Sequence, residues 1–94
     1  MNKNSDELQM LRQEIDSVDS LLLDLLAKRA ALVKAIGSYK REHHVQLLDP
    51  MRWRELLQAR MIEAEKNGLS SEFIREIFER IHCYSLSLQA SVEE

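Results

Sequence analysis

The feature that most constrains this chain is an apolar repeat in its N-terminal half, which contains no proline before residue 50. Large apolar side chains recur there in alternating steps of three and four residues, with one step of seven between Leu25 and Leu32: Leu8, Leu11, Ile15, Val18, Leu22, Leu25, Leu32, Ile36 and Tyr39. We call this stripe the seam. A heptad repeat of this kind predicts one long helix with a continuous apolar face. Asn4, followed three residues later by Glu7, predicts a capping box at its start, so the helix is expected over about residues 5–42.

Two shorter helices are predicted after it. Asp49-Pro50 is typical of a helix start, because a carboxylate caps the first turn and proline suits its first position. Gly68 predicts the end of that helix after Asn67, and Ser70 predicts the cap of the next one. We therefore predict an all-α fold with three helices, long, short and medium. Their expected bounds are about 5–42, 50–67 and 70–91, in a single domain of residues 1–94.

The first helix is too long for a compact chain of this size. About 37 helical residues span roughly 55 Å at ~1.5 Å per residue. A compact domain of this length has a radius of gyration near ~12 Å, and therefore a diameter of only about 32 Å. Because the seam stays apolar along nearly the whole helix, another surface has to cover it. A second copy is the simplest cover, and we expect an intertwined homodimer whose long helices run past each other.

Composition limits the classes of partner. The formal net charge is -3 and no basic tract is present, which argues against a nucleic-acid partner. The single cysteine, Cys83, excludes a disulfide within the chain. The sequence contains no cluster of Cys and His residues at metal-ligand spacing, so we expect no zinc site. The polar start of the sequence predicts no signal peptide, and no apolar run is long enough for a membrane span. We expect a cytoplasmic protein without a membrane partner.

Basic residues interrupt the apolar pattern of the first helix. Arg29 occupies a seam position, where it either extends to solvent, fixes the register of the helices or binds an anion. Lys40 lies eleven residues further, roughly 16 Å away and within about 20° of the same face. Arg12 lies about 25 Å from Arg29 on the same helix. It therefore cannot join a small pocket with Arg29 in one chain, although an antiparallel partner could bring it there.

Polar residues also break the pattern of the other two helices. Ser85 lies in the apolar stripe of the third helix, with Gln89 one turn beyond it on the same face. The pair is either a hydroxyl bonded to its own helix beside an exposed amide, or part of a polar site. Asp49 and Arg52 suit a helix cap with a surface ion pair. Trp53 is interpreted as a packing residue.

At these positions the chain resembles the all-helical chorismate mutases. The shared residues, in order, are Leu11-Arg12, Ile15-Asp16, Asp19, Leu25-Leu26, Arg29, Ile36-Gly37, Lys40, Asp49, Arg52, Gly68-Leu69, Phe73-Ile74, Ser85 and Gln89. Each short piece is weak alone, but the full series at matching spacings makes the resemblance specific over about residues 7–90. Members of this family are intertwined dimers of three-helix chains, as the length of the first helix also predicts.

The resemblance implies two equivalent pockets in each dimer. One chain would supply Arg29, Lys40, Asp49, Arg52, Ser85 and Gln89, and its partner would supply Arg12. The family converts chorismate to prephenate by a [3,3] Claisen rearrangement, for phenylalanine and tyrosine synthesis, and this isomerase reaction requires no cofactor or metal. Lys40 and Gln89 would act as the catalytic donors to the ether oxygen, and the other residues would bind the dianionic substrate. Gly37 either leaves room for the ligand or permits close helix packing.

One position departs from the family pattern. Where the family usually has a glutamate that helps to hold the ring hydroxyl of the substrate, this chain has Trp53. Three other functions stay open. The first is an isochorismate-pyruvate lyase on the same fold, and the second is a mutase of the 4-amino analogue of chorismate. The third is a non-catalytic, dimeric regulatory module.

Overall fold

The computed structural model describes residues 3–91 of the chain, with side chains from Ser5 onward. It contains three α-helices, α1 (Lys3–Glu42), α2 (Pro50–Lys66) and α3 (Ser71–Ser91), and residues 3–91 contain no strand. The prediction of an all-α chain with a long, a short and a medium helix is confirmed. Helix α1 begins at Lys3, slightly before its predicted start, and the predicted capping side chain of Asn4 lies outside the described residues.

Side-chain caps start the two shorter helices as the sequence predicts. The Asp49 carboxylate accepts a hydrogen bond from the Arg52 backbone N–H (3.1 Å), and Pro50 follows in the first turn of α2. The Ser70 hydroxyl oxygen accepts a bond from the Phe73 N–H (3.1 Å) in the first turn of α3. Each cap satisfies a backbone donor that has no partner inside its helix.

The chain forms two compact units, one extending to Leu32 and one beginning at Val33. In the first unit, every side chain from residue 5 to residue 28 is exposed. This includes the seam residues from Leu8 to Leu25, of which Ile15 and Leu25 are 59% and 60% exposed. A helix that leaves such an apolar stripe in water loses the burial that stabilises most helices in proteins.

The second unit contains the last part of α1, the connector (residues 43–48), α2 and α3. Helices α2 and α3 pack against each other. Among the described residues its buried positions are few: Val33, Gly37, Ala64, Ser85 and Gln89. Two of these are polar side chains on α3, which is unusual for so small a core and directs attention to that face of the helix.

Surface ion pairs lie along the outer side of α3. The Arg75 guanidinium donates to the carboxylates of Glu72 and Glu79. The hydrogen bond and the charge of Arg75 hold the pKa of Glu72 below its ordinary value. These pairs are exposed, so they add little to stability. None of the described helices is both long and apolar enough to cross a membrane.

Candidate active site

The centre of the candidate site is a contact between the end of α1 and the last turns of α3. The Lys40 ammonium donates to the Gln89 side-chain oxygen (3.2 Å) and to the Leu47 carbonyl oxygen of the connector (2.7 Å). Gln89 is only 8% exposed, and Lys40 is half-buried. A lysine ammonium has three N–H donors, so these two bonds leave one for a ligand. The Gln89 amide oxygen faces Lys40, which leaves its NH₂ group to donate elsewhere.

Gly37 makes this contact possible. A Cβ atom at residue 37 would lie 2.9 Å from the Gln89 Cα and 3.1 Å from the Gln89 carbonyl oxygen. Atoms do not approach so closely without displacing the backbone of α3. Of the two interpretations left open for Gly37, close helix packing is therefore the one observed, and it brings Gln89 beside the turn that carries Lys40.

Ser85 and Gln89 share one face of α3, because residues four apart are neighbours on a helix. Ser85 is 7% exposed and has an interaction partner. The alternative interpretation of Gln89 as an exposed amide is wrong, because its side chain is buried and hydrogen-bonded to Lys40. The packing of α3 against the turn that contains Gly37 explains the burial, which the stripe pattern of α3 alone does not indicate.

Asp49 and Arg52 lie at the exposed first turn of α2, a few residues after Leu47. The Asp49 side chain binds the backbone N–H of Arg52, as a helix cap does. The surface ion pair that their spacing also allowed does not form. Ion pairs do join Arg60 to Glu63 in α2, and Arg75 to Glu72 and Glu79 in α3. The Arg52 guanidinium is therefore not held by Asp49.

Trp53 packs between helices, as predicted. Its ring stacks on that of His82 in α3, with centroids 4.0 Å apart and planes inclined by 11°. Both residues are half-buried, and His82 lies three residues before Ser85. Cys83, next to His82, is exposed, in keeping with the rule that neighbouring helical residues face different directions.

The two remaining predicted residues lie in the first unit. Arg12 is exposed on α1, and Arg29 is half-buried and has an interaction partner. Within the second unit, the structure brings Lys40 and Gln89 into direct contact, places Ser85 on the Gln89 face of α3 and places Asp49 and Arg52 at the start of α2. No group of three or more His, Cys, Asp or Glu side chains in the described part could hold a metal ion.

Two features of the site were not predicted from the sequence. One is the Leu47 carbonyl oxygen as an acceptor for Lys40, and the other is the backbone of His44, whose φ of 57° lies in the left-handed region. A backbone acceptor in an irregular connector has no residue-type signal. The left-handed backbone of His44 had only a weak signal in the sequence, since histidine is among the residues enriched at positive φ.

Comparisons with known proteins show the family of the chain. The family described as chorismate mutase type II matches residues 11–90. A solved structure of a chorismate mutase (form II) from Thermus thermophilus superposes with a TM-score of 0.85 at 33% identity, covering 94% of this chain and 99% of that one. The chain belongs to the chorismate mutase type II family.

Two curated relatives differ in their identity to this chain and in the share of their own length that it covers. The T-protein of Haemophilus influenzae is 44% identical over 73 residues, which are 78% of this chain and 19% of that protein. The 4-amino-4-deoxychorismate mutase of Streptomyces pristinaespiralis is 31% identical over 77 residues, which are 82% of this chain and 60% of that protein. The chain thus spans about a fifth of the T-protein, and three fifths of the other relative.

Proposed function

We propose that this chain is a chorismate mutase, an isomerase that converts chorismate to prephenate by a [3,3] rearrangement. Family membership supports the reaction class. The observation that carries the proposal is the pairing of the Lys40 ammonium with the buried Gln89 amide, because both groups keep donors for a ligand. The reaction is intramolecular, so it needs a pocket that holds the compact conformer of the substrate and donors for the oxygen that gains charge.

Lys40 and Gln89 are proposed as the donors to the ether oxygen. As the C–O bond breaks, this oxygen gains negative charge, and a fixed ammonium and amide stabilise that charge more than they stabilise the ground state. The Leu47 carbonyl and the Gln89 oxygen already hold the ammonium in position. Little reorganisation is then required during the reaction.

Arginines are proposed to bind the two carboxylates of the substrate. Arg52, whose guanidinium Asp49 does not hold, lies at the start of α2, and Arg29 lies on α1. Guanidinium groups bind carboxylates through two parallel hydrogen bonds, which fixes orientation as well as charge. Asp49 and Ser85 are proposed to hold the ring hydroxyl and the remaining polar edge of the substrate.

We propose an intertwined homodimer in which each chain supplies Arg12 to the pocket of its partner. The exposed seam of the first unit supports this arrangement, because side chains such as Ile15 and Leu25 are more than half exposed among the described residues. Burying a leucine or isoleucine side chain contributes about 1.5–3 kcal/mol, so covering the whole seam would hold a dimer firmly. The cytoplasmic location and the absence of a cofactor, nucleic-acid partner or membrane partner stay predictions.

One observation favours a second substrate, 4-amino-4-deoxychorismate, and another disfavours it. The chain is similar to a 4-amino-4-deoxychorismate mutase over 82% of its length, and Trp53 stands where the family usually has a glutamate. An amine at the 4-position of the ring would be cationic and would prefer nearby carboxylates. Because Trp53 removes one such carboxylate, we propose that the hydroxyl substrate, chorismate, is preferred.

Turnover of three substrates by the purified chain tests the proposal. We expect prephenate from chorismate, with a higher kcat/KM than for 4-amino-4-deoxychorismate and no pyruvate from isochorismate. Pyruvate release without prephenate would identify a lyase instead. Absence of all three activities in a folded protein would favour the non-catalytic module.

A further inference from the structure

Helices α1 and α2 end in the same backbone motif. At the end of α2, the Leu69 N–H donates to the Ala64 carbonyl (2.8 Å) and the Gly68 N–H donates to that of Glu65 (3.1 Å). At the end of α1, the Val45 N–H donates to the Lys40 carbonyl (2.8 Å) and the His44 N–H to that of Arg41 (3.3 Å). This nested pair of bonds is the Schellman motif, which requires a left-handed residue just after the helix.

The two motifs differ in the residue that occupies the left-handed position. Helix α2 uses Gly68, with φ of 73°, and α1 uses His44, with φ of 57°. Glycine adopts this conformation without steric cost, whereas most other residues do not. Histidine tolerates it better than most, and a β-branched residue tolerates it poorly.

The two motifs also differ in what they hold. The carbonyl that accepts the longer-range bond belongs to Ala64 in α2 and to Lys40 in α1. Lys40 is therefore attached to the connector twice, through its backbone oxygen to Val45 and through its ammonium to the Leu47 carbonyl. His44 lies three residues before Leu47, whose carbonyl oxygen is 2.7 Å from the ammonium.

We propose that His44 is a positioning residue for Lys40: by adopting the left-handed conformation it closes the turn that presents the Leu47 carbonyl to the Lys40 ammonium. This inference rests on the proposed function for its effect on catalysis. The geometry on which it depends does not require the chain to be an enzyme. His44 acts through the connector and not on the ligand itself.

Substitutions that keep or oppose the left-handed conformation test the effect on turnover. We expect His44→Gly and His44→Asn to retain kcat within about twofold, and His44→Val to lower it by roughly ten- to a hundredfold, as small misplacements of a catalytic group do. KM should change little, because the donated bond is strongest in the transition state. Gly68→Val imposes the same strain on the matching motif and should keep kcat; His44→Ala and Gly68→Ala replace the valine variants if those do not fold.

A double mutant separates positioning of Lys40 from a general disturbance. In a Lys40→Ala background, His44→Val should have no further effect on kcat beyond about twofold, because the group that it positions is gone. An equal loss in both backgrounds would overturn the inference, as would a His44→Val enzyme with the kcat of the wild type.

A second measurement does not need activity. Acetylation by N-hydroxysuccinimidyl acetate, followed by mass spectrometry, gives the reaction rate of each lysine amine. Lys40 should react more slowly than the exposed Lys34 and Lys66 in the wild type, and severalfold faster in His44→Val but not in Gly68→Val. An unchanged Lys40 rate in His44→Val would overturn the inference. A wild type that lacks turnover but shows the expected rates would overturn only the proposed function.

Discussion

The two units of this chain use apolar side chains in opposite ways. From residue 5 to residue 28, helix α1 exposes every side chain, including the leucines and isoleucine of its seam. The unit from Val33 onward has little apolar core, yet it buries two polar side chains, Ser85 and Gln89. Within the described residues, the first unit therefore has an exposed apolar surface, and the second buries polar groups where a small core ordinarily buries apolar ones.

This difference indicates a division of roles. A buried amide costs free energy unless it is hydrogen-bonded, and Gln89 meets this requirement through Lys40. A few polar groups that converge in this way suit a ligand-binding site. The seam of the first unit, in contrast, has the pattern of an interface between helices. Substitutions in the seam of the first unit should therefore disturb association between chains, whereas substitutions at Lys40 or Gln89 in the second unit should disturb turnover.

The largest effect is expected from removing the ammonium of the second unit. Lys40→Ala should lower the kcat/KM for chorismate by about 10²–10³, because one donor to the developing charge is lost and Gln89 loses its partner. Formation of prephenate by the purified variant measures this. Lys34→Ala, an exposed lysine on the same helix, is the control and should retain activity. Similar losses in the two variants would mean that Lys40 has no special role.

Next in size is a charge placed in the seam of the first unit. Leu22→Glu should dissociate the proposed dimer and abolish activity at low protein concentration, because a carboxylate cannot be buried in its interface without a partner. Sedimentation velocity reports the oligomeric state. Met10→Glu is the control, since Met10 is 63% exposed and Leu22 54%, and Met10 lies off the seam. If the two variants had the same oligomeric state, the seam would not differ from the rest of the α1 surface.

A smaller effect is expected where α1 meets α3. Gly37→Ala adds a Cβ atom 2.9 Å from the Gln89 Cα, and the overpacking should lower the free energy of unfolding by about 1–3 kcal/mol. Urea denaturation at fixed protein concentration measures the loss. Ala35→Ser adds one atom at an exposed position of the same helix and should be nearly neutral. A Gly37→Ala chain as stable as the wild type would contradict the close packing.

The smallest effect is expected from the surface charges of α3. The hydrogen bond and charge of Arg75 lower the pKa of Glu72 in the folded chain, so its contribution is present above the unfolded pKa. That contribution is lost as the pH falls through the lowered, folded pKa. Glu72→Gln should therefore differ slightly from the wild type near neutral pH and match it in acid, as thermal melts would show. A stability difference between Glu72→Gln and the wild type that grows in acid would contradict a lowered pKa for Glu72.

The helix ends show what the sequence could and could not predict. Asp49-Pro50, Gly68 and Ser70 each signal a boundary through their own side chain or backbone freedom, and each boundary was predicted within one residue. His44 closes the turn after α1 without glycine, so composition did not reveal its left-handed backbone. A helix boundary can be predicted from the sequence when its backbone conformation strongly prefers one residue type. It cannot be predicted when the position is occupied by a residue that merely tolerates the conformation.

The candidate site likewise has features that the sequence predicted and features that it did not. Spacing placed Ser85 and Gln89 on one face of α3, and the resemblance assigned Lys40 to their pocket. The burial of Gln89 and its bond to Lys40 depend on how closely α3 approaches Gly37, which no helical periodicity encodes. Spacing also separated Arg12 from Arg29 in one chain. That separation is the reason for proposing a pocket shared between two chains.

Mixing two inactive variants tests the shared pocket most directly. Arg12→Ala and Lys40→Ala chains are purified separately, exchanged as subunits at equal concentration and assayed for prephenate. If each pocket takes Arg12 from the partner, a mixed dimer contains one intact pocket, and random exchange should restore about a quarter of the wild-type activity. No recovery, despite mass-spectrometric proof of mixed dimers, would contradict a site built from both chains.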